Sequence, residues 1–362
     1  MGTPARVVVL PQATNELRIE EITLDDPGPS QVVVKQHASG ICHSQLHQIH
    51  RPRTSPVVLG HEATGTVLKV GRDVTHVAEG DRVLVTWVPR AIQQSNHVPI
   101  RARLAVSDGM AESENVFTWA DHTLADEQYV VKVADDIATD VTSIIGCAVM
   151  TGAGAVINTA KVQPGQSVAI FGVGGVGLAA VVGAKMAGAH PIIAVDLDDQ
   201  KLGFASSFGA THTINATNQD PVAAIHELTP GDGTNILGQP VTGADFAFDC
   251  IGIKTTMEQI VPAVRGGYFG ANGGGTAILV GVPSTGVELN ALEVLIQEKQ
   301  FIGSIGGSCC PDRDFPTFLN WQANGELRLQ DMVTARYSID QINQATADLA
   351  AGKINGRAIL EF

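Results

Sequence analysis

Ser167-Val-Ala-Ile-Phe171-Gly172-Val-Gly174-Gly175-Val176-Gly177-Leu178, followed by Ile192-Ile-Ala-Val-Asp196, is the stretch from which the fold can be read. An apolar strand-like run ends in G-x-G-x-x-G, a small-residue helical stretch opens, and an acidic residue stands nineteen positions beyond the last glycine. Glycines in that order inside one βαβ-sized unit point to a dinucleotide site rather than to a chance turn. Gly172 permits the tight turn, Gly174 lets the backbone approach a pyrophosphate at the helix N-terminus, and Gly177 lets helix and strand pack closely, with Gly175 and Val176 between them. Asp196 is suited to a ribose diol and repels a 2′-phosphate, so NAD is expected rather than NADP. Asp198 and Asp199 add to that repulsion. Lys201 is placed either to reach the ribose or to sit solvated on its helix.

Around this unit, from about 165 to 306, strand and helix alternate. Strands are expected at Ser167–Phe171, Ile192–Asp196, Asp245–Asp249 and Ala277–Gly281, with helices after Gly177 and after Asp199. Such alternation predicts an α/β domain, a doubly wound parallel sheet of Rossmann type covered on both faces. Upstream, Ala5–Leu10, Leu17–Ile22, Gln31–Lys35, Thr64–Val70 and Arg82–Thr86 predict a small β-rich domain, a partly open barrel. Residues 88–128 are polar and poor in periodicity and read as a long excursion, and Thr142–Asn158 as a closely packed helix. In the tail, Ser338-Ile-Asp-Gln341 fits a capping box, Ile339, Ile342, Ala345 and Leu349 form a helical stripe, and a last strand is expected at about Ala358–Phe362. Gly266–Gly275 reads as a flexible loop.

The chain has 362 residues and a formal net charge of −14, which argues against nucleic acid and anionic lipid as partners. Charged residues make up only 17%, below the roughly 25% of a typical soluble domain, so surface is left to bury, including at a subunit interface. Five cysteines are too few and too scattered for a disulfide scaffold and read as thiols in a reducing compartment. The opening residues lack an apolar leader segment, and no run is long enough to span a membrane; a cytoplasmic protein is expected.

A second cluster lies in the first domain: Gly40-Ile-Cys42-His43-Ser44-Gln45-Leu-His47, then Gly60-His61-Glu62-Ala-Thr-Gly65, then Gly146-Cys147-Ala-Val-Met-Thr151-Gly152. Two thiolates and an imidazole are a suitable three-ligand set for a catalytic zinc with one open position, and Cys42, His61 and Cys147 are the candidates. Spacing alone is a poor guide here, since 18 residues separate the first pair and 85 the second. A cysteine in an apolar run is more often a small hydrophobe, and a lone histidine a core residue.

All three patches, in this order and followed by the glycine motif and Asp196, resemble the zinc-dependent alcohol dehydrogenases of the medium-chain dehydrogenase/reductase superfamily, over essentially the whole chain. The resemblance implies a GroES-like catalytic domain from both chain ends, 1–149 and 307–362, around a Rossmann domain, 150–306, with the active site in the cleft. It implies zinc on Cys42, His61 and Cys147. Ser44 then matches the hydroxyl that takes the alcohol proton, His47 the relay base, and Glu62 a carboxylate behind the metal. Arg357 and His43 match basic residues near the cofactor pyrophosphate. Trp87 matches an aromatic of the alcohol pocket, with Phe117 and Trp119 as further candidates, so an aryl or medium-chain primary or secondary alcohol is expected. The implied chemistry is metal-assisted hydride transfer to NAD. By residue type alone, Ser44 is equally a turn residue, Glu62 a strand-end charge, and His47, His43 or Arg357 a solvated side chain.

Polyol-oxidising relatives tend to carry a carboxylate where Cys147 stands, which favours the alcohol branch. Two departures from the family pattern stand out. No cysteine falls within Pro89–Asn115, where many members hold a second, structural zinc, so one catalytic zinc per chain is expected. Gln45 stands where many relatives have an acidic residue supporting the ligand histidine. A homodimer or homotetramer is expected through the apolar runs Ala277–Val282 and Phe301–Gly303. Cys309-Cys310 reads either as a redox pair or as two unreactive thiols. Two other readings stay open: a nicotinoprotein that retains its NAD, and a catalytically inactive NAD-binding protein.

Overall fold

The structure, a computed structural model, describes residues 2–91, 97–231, 233–235, 238–268 and 273–362. Part of the excursion (92–96) and the middle of the glycine-rich loop (269–272) lie outside the described residues. The chain forms two compact units, Met1–Ala148 with Cys310–Phe362, and Val149–Cys309.

In the second unit, Val168–Phe171 pairs in parallel with Ile192–Asp196 on one side and Phe246–Asp249 on the other. His212–Asn215 adds outside the former, and Thr276–Leu279 and Gln300–Gly303 outside the latter. In chain order the six strands run 3-2-1-4-5-6, the doubly wound arrangement whose order reverses at the strand that feeds the glycine motif. Val168, Ala169, Ile170 and Phe171 are all buried, as a strand covered on both faces requires. The following helix, Gly175–Met186, starts three residues earlier than expected, because the motif's own glycines form its first turn. Asp245, expected in a strand, instead accepts from the backbone N–H and hydroxyl of Ser167 and from Arg265. Val280 and Gly281 likewise leave the sheet early, both donating to the Asp249 carbonyl.

The first unit holds two sheets. The smaller runs Arg18–Leu24, Thr3–Leu10, Val57–Val58, Gly109–Glu112, Arg103–Val106. The larger runs Val130–Lys132, Arg82–Val85, Ala63–Val70, Gln31–Ile41, Arg357–Glu361, Val333–Ser338, with His122–Asp126 also on Gln31–Ile41. The excursion is thus partly ordered as the hairpin Arg103–Glu112, and the buried Asp126 fastens its start by accepting from Ile100 N at 2.9 Å and bonding His97 Nε2 at 2.9 Å. The tail joins this unit because Arg357–Glu361 pairs with Gln31–Ile41, and the stripe Ile339, Ile342, Ala345 and Leu349 is buried beneath it. Ser338 and Gln341 form the expected capping box.

Candidate active site

Cys42 caps the helix His43–His50, directly after the strand Gln31–Ile41. His61 and Glu62 precede the strand Ala63–Val70, and Cys147 sits where a tight helical turn, Val141–Gly146, breaks before a second helix begins at Ala148. The expected continuous helix over Thr142–Asn158 is therefore interrupted, at the residue whose thiol joins the cluster. One ligand atom from each of Cys42, His61 and Cys147 falls within 4.8 Å of the others. Both thiols are buried, and His61 Nε2 is buried with no hydrogen-bond partner.

The two thiols are hydrogen-bonded to each other. A hydrogen bond from Cys147 holds the Cys42 thiol well below its usual pKa against the cost of burial, helped by the Arg357 charge, while the same bond and burial push Cys147 up. Glu62 is fully buried, is paired with the Arg357 guanidinium, and accepts from the Ala148 N–H at 3.2 Å. Burial still raises the Glu62 pKa despite Arg357, whose charge is divided between this carboxylate and the Cys42 thiol. Burial works against the Arg357 charge too, but Glu62 and the two thiols more than offset it. Gly40 is required at this point, because a Cβ there would collide with the Glu62 carboxylate.

Ser44 Oγ is buried and unpartnered on the first turn of its helix, and His47, three residues on and so on the same face, is exposed. His43 is also exposed. The half-buried Trp87 meets the His61 ring edge-on at 6.4 Å between centroids, with its indole N–H buried and unpartnered. Phe117 and Trp119 correct the expectation of a pocket lining. Both are fully buried in two apolar cores, within a non-strand segment whose residues 116–120 are all buried, and the Trp119 N–H donates to the Gly40 carbonyl. Arg357, matched to a cofactor-side arginine, is enclosed with Glu62 behind the thiols. Its pairing and the role of Gly40 carry no local sequence signal, because both depend on sheet register. The vicinal thiols part company: Cys309 Sγ donates to the Met150 carbonyl and Cys310 Sγ to the Arg90 carbonyl.

In the second unit, Gly172 has φ +81°, and a Cβ there would collide with the Ile251 side chain, whereas a Cβ on Gly174 would meet nothing within 4 Å. The open space over Gly174, at the N-terminus of Gly175–Met186, fits an incoming pyrophosphate. Asp196 accepts from Val173 N at 3.0 Å and Leu197 N at 2.8 Å, which fixes its carboxylate at the strand end beside the motif. Asp198 caps the helix Asp199–Phe208 and Asp199 binds Asn215, so both have structural employment. Lys201 is half-buried on that helix.

A soft three-ligand cluster and a dinucleotide-binding sheet in one chain define a metal-assisted dehydrogenase. The profile described as "Alcohol dehydrogenase GroES-like domain" matches residues 28–135, and that described as "Zinc-binding dehydrogenase" matches 175–324. An S-(hydroxymethyl)glutathione dehydrogenase of Paracoccus denitrificans is 32% identical over 96% of this chain and 97% of its own length. An alcohol dehydrogenase class-3 of Cereibacter sphaeroides is 31% identical over 98% of each. Among solved structures, benzyl alcohol dehydrogenase from Acinetobacter calcoaceticus superposes with a TM-score of 0.85 at 29% identity, covering 99% of each chain. The chain belongs to the zinc alcohol dehydrogenases of the medium-chain dehydrogenase/reductase superfamily, oxidoreductases that act on alcohols.

Proposed function

We propose that this enzyme interconverts a primary or secondary alcohol with its aldehyde or ketone, using NAD and a single zinc on Cys42, His61 and Cys147. The observation that carries the reading is the convergence of those three ligand atoms within 4.8 Å, together with a buried, unpartnered hydroxyl on Ser44, two residues after Cys42. Two sulfurs and one nitrogen suit zinc and leave one position open, and when bound the metal supplies a Lewis acid for the alcohol oxygen. The chain's own residues do the rest. Arg357 and Glu62 hold the charge balance behind the thiols, Ser44 receives the hydroxyl proton, and His47 passes it to solvent. NAD, when bound, would supply the acceptor for the hydride that the alcohol carbon gives up, so that the alcohol would be oxidised as NAD is reduced. Asp196 selects NAD over NADP, Gly172, Gly174, Gly175, Val176 and Gly177 cradle the pyrophosphate, and Lys201 supports the ribose.

An aryl or medium-chain alcohol is supported by Trp87 beside His61 and by the likeness to a benzyl alcohol dehydrogenase. The absence of cysteine from Pro89–Asn115 supports a single zinc, with Asp126 and the Arg103–Glu112 hairpin ordering that lobe. The edge strand Gln300–Gly303 and the exposed Leu292 and Leu295 support a homodimer or homotetramer. Five free thiols support a cytoplasmic location. Metal content per chain, measured with NAD and NADP turnover on a panel of alcohols, tests the whole. One zinc and NAD-linked oxidation are expected, and Cys42→Ala or Cys147→Ala should lose both. Turnover by a zinc-free variant would overturn the assignment.

A further inference from the structure

Gln45 is fully buried, and its amide makes two contacts. Oε1 accepts the backbone N–H of Cys42 at 2.8 Å, and Nε2 lies 2.6 Å from His61 Nδ1. A backbone N–H can only donate, so the first contact fixes the amide with its oxygen toward Cys42 and its nitrogen toward His61. The amide nitrogen can only donate as well. His61 Nδ1 must therefore accept, which puts the ring proton on Nε2; a ring protonated at both nitrogens would set two donors against each other. Nε2 is the ring atom left for a metal, being buried and without a hydrogen-bond partner. A metal needs its lone pair there, not a proton.

Two groups thus compete for one amide oxygen: the Cys42 N–H, and, once the ring turns to its ligating tautomer, the Nδ1–H of His61. A carboxylate would turn an acceptor oxygen to each, whereas the Gln45 amide turns its single oxygen to Cys42 and a donor NH2 to His61. Resting on the zinc reading above, we propose that Gln45 is a positioning residue that stores His61 in its non-ligating tautomer. Metal uptake then requires the amide to turn over and give up its bond to Cys42. The site binds zinc more weakly than it would with a carboxylate at position 45, by the ten- to hundredfold typical of partners to metal-bound histidines.

The tautomer is read directly from long-range proton–nitrogen spectra of the full-length, metal-free protein labelled with ¹⁵N-histidine, with the His61 signals assigned by their loss in His61→Gln. Nε2–H is expected without metal and Nδ1–H after zinc is added. Gln45→Glu should show Nδ1–H before any metal is present and bind zinc about ten- to hundredfold more tightly in chelator competition. Because a carboxylate also attracts zinc by charge, Gln45→Met separates the two effects, having similar length and no donor or acceptor. Its ring should lose the fixed Nε2–H preference, and its zinc affinity should not fall below that of the parent. Nδ1–H in the metal-free parent, or weakened zinc binding in Gln45→Met, overturns this inference while leaving the zinc reading intact. A parent that binds no zinc overturns the zinc reading and this inference with it.

Discussion

Replacing Arg357 with Leu tests the charge balance behind the thiols. The Arg357 and Glu62 side chains are 5% and 0% exposed, and among the described residues the Glu62 carboxylate without the guanidinium keeps only the Ala148 N–H as a hydrogen-bond donor. Breaking a buried ion pair from one side leaves an uncompensated charge and costs about 3–5 kcal/mol, which at about 2–4 °C per kcal/mol is a fall in Tm of roughly 10 °C. Removing both partners costs far less, so Glu62→Met with Arg357→Leu should recover to within about 1 kcal/mol of the parent. Urea unfolding of metal-free protein measures all three. The deficit of the single variant should also depend on pH. Burial already lifts the Glu62 pKa and lifts it further once Arg357 is gone. The folded state then binds more protons than the unfolded one, so stability is kept at low pH and lost as pH rises through the raised pKa. The deficit is therefore smaller near pH 5 than near pH 8. A single variant within about 1 kcal/mol of the parent, or a double variant no better than the single, would refute the reasoning.

Gly174→Ala should leave thermal stability unchanged and weaken NAD binding at least tenfold by calorimetry, because only open space meets its Cβ; Gly172→Ala, at φ +81° against Ile251, should instead destabilise by about 1–3 kcal/mol. Asp196→Asn should raise the ratio of kcat/KM for NADP over NAD by about tenfold or more, since the repelling charge goes while an acceptor for the Val173 N–H remains. Burial, followed by the charges of Arg82 and Lys35, holds the His37 pKa below its ordinary value. Its contribution to stability is full above the unfolded pKa near 6.5 and lost as pH falls through the lower folded value, so His37→Gln should flatten the decline of Tm below about pH 6.5.

The nucleotide-binding unit was legible because its signals are local. A strand buried on both faces, three glycines with distinct steric duties and a strand-end aspartate all sit within Ser167–Asp196, and the structure keeps them in that order. Strands with little burial were not legible. His212–Asn215 buries only Ile214, and the hairpin Arg103–Val106 and Gly109–Glu112 buries one side chain in each arm, too few to show a period of two. Phe117 and Trp119 misled for the opposite reason, since a large aromatic fills a core as readily as it lines a pocket.

The metal cluster could be named from sequence only through a resemblance, and the register of one sheet explains why. Ala358 pairs with Ile41, which sets Arg357 opposite Cys42, and Ser39 pairs with Ala63, which sets Glu62 opposite Gly40. Three segments distant in sequence, around Gly40–Cys42, Glu62 and Arg357, thus meet at one end of the strand Gln31–Ile41. A slip of one residue in either pairing would turn Glu62 or Arg357 to the other face and leave a charge without its partner. The register that buries the apolar residues of this sheet therefore also fixes the electrostatics of the site.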